Sequence, residues 1–115
     1  MDSNTERKVI EDYFKEISIF NLIITPSEEE EIYQNIIKGK YKPRLRLIEG
    51  NLRLVYSVAK KYKNSGLEIM DLINEGNMGL VKATQIFDPT KGKRFKTFAI
   101  RFIRKAIEDA IKFRK

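Results

Sequence analysis

An all-α fold is predicted for this 115-residue chain by three observations. Apolar residues recur at spacings of three and four in five separate stretches, the period of an amphipathic helix. No stretch carries the strict apolar-polar alternation of a half-buried strand. Turn signals divide the stretches: Thr25-Pro26, Gly39, Asn64-Ser65-Gly66 and Asp88-Pro89. The expected architecture is a compact helical bundle of about five helices with short connections.

The first helix is announced by Ser3 and Glu6, the spacing of a capping box, and continues with Val9, Ile10, Tyr13, Phe14 and Ile17 on one side. The apolar linker NLIIT, residues 21–25, is expected to pack. Thr25-Pro26-Ser27-Glu28 then supplies an N-cap hydroxyl, a proline at the first helical position and a glutamate at the third. Glu28 to Glu31 place negative charge at the positive end of the helix dipole. Ile32, Tyr33, Ile36 and Ile37 form the buried stripe, and Gly39 closes the helix. A longer third helix is expected from near Pro43, with Leu45, Ile48, Leu52, Val55, Ala59 and Tyr62 as its seam. The fourth runs from about Glu68 to Phe87. The loop TKGKR leads into the last, where Phe95, Phe98, Ala99, Phe102, Ile103, Ala106, Ile107 and Ala110 share one side. Two units are expected, residues 1–42 and 43–115.

Composition narrows the function classes. The chain has neither cysteine nor histidine, which removes disulfides, Cys/His metal sites and histidine-based triads. No convergent nucleophile-base pair or phosphate loop is evident, so no enzyme and no cofactor are expected. No leader pattern opens the sequence, and no apolar run approaches the roughly 18 residues of a membrane span; the expectation is a soluble, cytoplasmic protein. Residues 1–90 carry 13 Lys/Arg against 14 Asp/Glu, whereas residues 91–115 carry 10 against Glu108 and Asp109 alone. All the excess positive charge therefore lies in the last stretch. A polyanion would be met there, although a solvated basic tail fits the charge equally well.

The stretch DLINEGNMGL, residues 71–80, holds two glycines inside a helical pattern, where each costs about 1 kcal/mol relative to alanine. Gly76 falls mid-way along the apolar face, so close approach of a neighbouring helix explains it. On the opposite face lie Asp71, Asn74, Glu75, Met78 and Lys82. Asp71 and Glu75 are like charges one turn apart, mildly unfavourable by themselves. Such a face fits either a solvated surface or a docking surface for a basic partner.

In order, NLRLVYSVAKKY, GLEIMDLINEGNMGLVKATQIFDPTKG and RFKTFAIRFIRKAI resemble region 2 of the bacterial housekeeping-type RNA polymerase sigma factors over about residues 43–110. Residues 6–40 resemble region 1.2 more weakly, through DYFKEI and TPSEEEEI. The resemblance implies a sigma region 2-like bundle, either as the N-terminal part of a sigma factor or as a short divergent member. It implies docking of Asp71, Asn74, Glu75 and Met78 on the clamp helices of the largest subunit of core RNA polymerase. An anti-sigma factor is a further candidate partner for that face. It also implies recognition and melting of the promoter minus-ten element, with bases of the non-template strand flipped out and held on aromatic and cationic side chains. By position, Phe87, Lys91, Phe98, Arg101 and Phe102 would surround the first flipped base, and Asn51 and Lys96 the second. Arg94 and Arg104 would meet backbone, Lys105, Glu108 and Asp109 would face the duplex edge, and Lys93 is a further DNA-binding position.

The sequence departs from the family where Asn74 replaces the usual glutamine, Arg101-Phe102 a tryptophan pair, and Phe98 a tyrosine. Lys105, Glu108 and Asp109 replace the common glutamine, threonine and arginine. Two acids facing DNA would repel phosphate, which predicts a different promoter sequence or weak unaided melting. The alternative expectation is a polymerase-binding regulator or decoy without promoter recognition. From spacing alone, Phe95 and Phe102 also fit the core.

Overall fold

The computed structural model describes residues 3–17 and 24–113. Six α-helices occur among them: α1 Ser3–Ile17, α2 Pro26–Ile37, α3 Lys42–Glu49, α4 Leu52–Ala59, α5 Ile69–Ile86 and α6 Phe95–Phe113. Single 3-10 turns at Lys60–Tyr62 and Pro89–Lys91 end α4 and link α5 to α6. No strand occurs among the described residues, so the all-α expectation holds. The side chain of Ser3 and linker residues 21–23 lie outside the described residues.

The expected long third helix is instead two helices. Gly50 caps α3, and Asn51 interrupts the ladder, its Nδ2 donating to the Leu47 carbonyl at 2.8 Å. Ile24 presses on the break so closely that a Cβ on Gly50 would overlap its side chain. The apolar seam continues across the break because α3 and α4 cover the same core, through Leu47 and through Val55, Val58 and Ala59.

The α5–α6 pair is the centre of the bundle. Ile69, Leu72, Ile73, Leu80 and Ala83 of α5 meet Ala99, Ile103 and Ile107 of α6 in a core that also takes Ile32, Tyr33 and Ile36 from α2. The two glycines of DLINEGNMGL allow this approach in different ways. A Cβ at Gly76 would come within 2.7 Å of a Val55 methyl, whereas one at Gly79 would overlap the carbonyl oxygen of Phe102. At the C-terminus of α5, Arg44 Nη1 donates to the carbonyls of Thr84 and Phe87, each at 2.8 Å. A cation there satisfies orphan acceptors and complements the helix dipole.

The helix-start signal at residue 25 is realised as expected: Thr25 Oγ1 accepts from the Glu28 N–H at 3.1 Å. The rest of α2 is stitched to distant elements. Glu28 receives two hydrogen bonds from Arg46, the shorter 2.7 Å, which hold its carboxyl below the usual range. Glu29 pairs with Arg94. The Tyr33 hydroxyl accepts from the Phe95 N–H at 2.8 Å and donates to Glu29 at 3.0 Å, so it caps α6 from across the molecule.

Burial pushes the Tyr33 phenol from 10.0 up to about 12, against the opposing pull of the Phe95 N–H and with help from the Glu29 carboxylate. A folded-state pKa above the unfolded one contributes stability that is complete below the unfolded value and lost as pH rises through the folded one. Stability should therefore decline between pH 10 and about 12, and Tyr33→Phe should flatten that decline while lowering stability at neutral pH. Denaturant titrations across the alkaline range check this, and an equally steep decline in the variant would contradict it.

Candidate functional site

Two surfaces carry the residues singled out in the sequence, and both are built on the α5–α6 pair. On α5, Asn74 and Met78 are exposed, Met78 at 68%, and Asp71 and Glu75 are half-buried beside them on the outward arc. No ion pair reaches Asp71 or Glu75 among the described residues. Their negative charge is left to solvent or to a partner.

On α6, an aromatic ladder rises from the core toward solvent. Tyr33 lies 5.3 Å from Phe87, Phe87 5.3 Å from Phe98, and Phe98 4.9 Å from Phe102, measured between ring centroids. Phe98 and Phe102 are half-buried, and Lys91 and Lys93 in the preceding turn and Lys96, Arg101 and Arg104 on α6 are exposed. Phe87, expected around the first flipped base, is only 2% exposed and packs against Tyr33, Phe95 and Phe98. Phe95 is core, as spacing allowed.

Several other positions are already engaged within the chain. Arg94 is tied to Glu29, with its guanidinium 5.6 Å from the Tyr33 ring centroid. The Asn51 side-chain Nδ2 donates to the Leu47 carbonyl. Lys105 pairs with Asp109 at 3.3 Å. Glu108 accepts from the Tyr62 hydroxyl at 2.6 Å; burial first, and then this carboxylate, raise the Tyr62 pKa, with Arg104 nearby opposing. Asp109 is thus paired with a cation, which softens its repulsion of phosphate, whereas Glu108 gains only a neutral hydroxyl donor and keeps its charge.

The two surfaces meet, which spacing along the chain did not foretell. An open groove of about 710 Å³ runs between α5 and α6, lined by Glu75, Met78 and Lys82 on one wall and Phe102, Lys105 and Asp109 on the other. Its floor is made of the small residues Gly79, Ala106 and Ala110, and Phe113 stands at its end, 76% exposed. Phe113 was missed in the sequence, although it extends the Phe102, Ala106, Ala110 row by one further helical step. No cluster of metal-ligating carboxylates occurs among the described residues. No helix among them is long and apolar enough to cross a membrane.

This arrangement has a counterpart among known proteins: the family model described as sigma-70 region 2 matches residues 47–115. The chain belongs to the sigma-70 region 2 family. That match runs from the end of α3 through α6 and so includes α5 and α6, the pair that builds both surfaces. One curated relative is RNA polymerase sigma factor RpoS of Coxiella burnetii (strain RSA 493 / Nine Mile phase I), 46% identical over 99 residues. The alignment covers 86% of this chain but 28% of that protein, so the sigma region 2 chain spans less than a third of its relative's length.

Proposed function

We propose that this sigma region 2 domain docks on core RNA polymerase through Asp71, Asn74, Glu75 and Met78 and recognises and melts the promoter minus-ten element through α6. The observation that carries the docking half is the unpaired charge of Asp71 and Glu75 beside exposed Met78. Two like charges one turn apart are retained at some cost to the helix, and a basic helical partner such as the polymerase clamp helices would relieve it. The DNA half rests on Phe98 and Phe102 among Lys91, Lys93, Lys96, Arg101 and Arg104, a stacking platform inside a cationic rim. Transcription initiation of this kind is cytoplasmic work without chemistry of its own.

The test is binding of this chain and of an Asp71→Ala/Glu75→Ala variant to core RNA polymerase over a salt series. Wild type should bind, and the variant should bind at least about tenfold more weakly, with a shallower salt dependence. Equal binding by both proteins would remove the docking face. The second reading, a polymerase-binding regulator without promoter recognition, draws on the engagement of Asn51, Arg94 and Lys105 within the chain. It predicts polymerase binding with no preference for a minus-ten-like strand.

A further inference from the structure

The chain carries two near-identical basic turns, Lys38-Gly39-Lys40-Tyr41-Lys42 and Lys91-Gly92-Lys93-Arg94-Phe95-Lys96. In both, the central glycine is left-handed, with φ of +85° at Gly39 and +80° at Gly92. Only the second lies in the basic C-terminal stretch; the first is hidden in a region whose net charge is close to zero. The fold brings them to one end of the molecule, because the C-terminal turn of α2 packs on the Pro89–Lys91 turn. Ile37, immediately before the first turn, borders two adjoining hollows. One contains Arg44, Asp88, Pro89 and Thr90, and the other contains Glu30, Gly92, Lys93 and Arg94.

The charges at this end are unequal in their commitments. The two carboxylates lining the hollows are occupied: Glu30 accepts from Gln34, and Asp88 accepts from the N–H and the hydroxyl of Thr90. Thr90 is also the main reason that Asp88 stays below the usual carboxylate range, with Lys91 and Arg44 adding to the effect. The lysines are not occupied. Lys38, Lys40, Lys42, Lys91 and Lys93 are all exposed, and no ion pair reaches any of them among the described residues. Tyr41, 59% exposed, and Ile37, 49% exposed, give the cationic rim an apolar interior.

We propose that the Lys38–Lys42 turn is a second phosphate-tracking element, which continues the path of a DNA strand from the Lys91–Lys96 turn across the end of α2. It rests on the DNA reading above and extends the footprint to residues that have no place in the α5–α6 surfaces. A solvated charge run would scatter its lysines. Here two turns with left-handed glycines converge, and the nearby carboxylates, though charged, are hydrogen-bonded to Gln34 and Thr90 and form no ion pair with these lysines. A phosphodiester backbone fits such a rim because each phosphate neutralised releases condensed counterions, an effect read directly as salt dependence. The ring of Tyr41 offers a face to an unstacked base.

The experiment compares three forms of the full chain: wild type, Lys38→Gln/Lys40→Gln/Lys42→Gln, and Lys60→Gln/Lys61→Gln/Lys63→Gln. The last removes the same charge from exposed lysines at the end of α4. Each is titrated by fluorescence anisotropy against labelled single strands of minus-ten-like and scrambled sequence across a salt series. Loss of three phosphate contacts should flatten the log-log salt slope by about 2 for the first variant and weaken binding roughly tenfold or more. The second variant should keep nearly the wild-type slope. Equal slopes for the two variants would overturn the proposal while leaving the DNA reading intact. Failure of wild type to bind either strand would overturn both. Binding to phosphatidylserine vesicles but to neither strand would reassign the rim to membrane surfaces. The binding of all three forms to core RNA polymerase should be equal, and a loss confined to the Lys38 variant would place the rim on the polymerase instead.

Discussion

Gly79→Ala should destabilise the chain by about 1–3 kcal/mol, the usual range for overpacking a tight site, even though alanine is the better helix former by about 1 kcal/mol. The reason is the identity of the atom in the way. At Gly79 the new methyl would overlap the Phe102 carbonyl oxygen and lie 2.9 Å from its carbon and 3.0 Å from Ala106 Cβ. A backbone carbonyl in mid-helix cannot step aside without moving α6. At Gly76 the nearest atom is a side-chain carbon of Val55, which can shift by a few tenths of an ångström more readily than a helix carbonyl, so Gly76→Ala should cost less. Thermal melts followed by circular dichroism check the pair, with a fall of roughly 5–10 °C expected for Gly79→Ala. A variant at Gly79 as stable as wild type would show that the helices part at no cost. Polymerase and DNA binding by Gly79→Ala also report whether the groove walls must keep their spacing.

Phe98→Leu and Arg101→Gln should each weaken binding of a minus-ten-like single strand, together by about 1–3 kcal/mol, or roughly tenfold and more. Phe98 is the first ladder ring that reaches solvent, supported by Phe87 below and Phe102 alongside. Arg101 is exposed beside it, where a guanidinium plane can take the place of an indole. Leucine keeps most of the apolar volume at residue 98, so its folding cost should stay under about 1.5 kcal/mol and melting separates stability from binding. Affinity unchanged in both variants would favour the regulator reading, because the platform would then be scaffold alone.

Local chemistry was the most readable part of the sequence. The cap at Thr25, the ends of α5 at Glu68 and Phe87 and the closing Gly39 depend on residues within one turn, and sequence spacing reports such neighbours well. The break at Gly50–Asn51 was not readable from the apolar pattern, because the seam runs through it undisturbed, and Ile24, which packs against Gly50, comes from another segment. Phe87 illustrates a second limit. Its position at the end of α5 fits both an exposed ring and a core ring, and its burial is set by Tyr33 of α2 and by Phe95 and Phe98 of α6, from two other places in the chain. The internal commitments of Arg94 and Glu108 were hidden for the same reason, since their partners, Glu29 and Tyr62, lie 46 or more positions away. The outward face of α5 was legible as a pattern, but its merging with α6 into one groove required the crossing of the two helices.

The Tyr33 hydroxyl bond to the Phe95 N–H joins residues 62 positions apart. Closing so long a loop carries an entropy cost that local helix pairing does not, so contacts of this kind tend to form after the α5–α6 hairpin has associated. In a molecule where α2 has lifted away, the first turn of α6 loses an acceptor, Arg94 loses Glu29, and one side of the Phe87 ring faces water. The aromatic ladder and its flanking Arg94 thus depend for their final geometry on contacts from a helix more than fifty positions earlier in the chain, and α2 acts as a clasp on that surface.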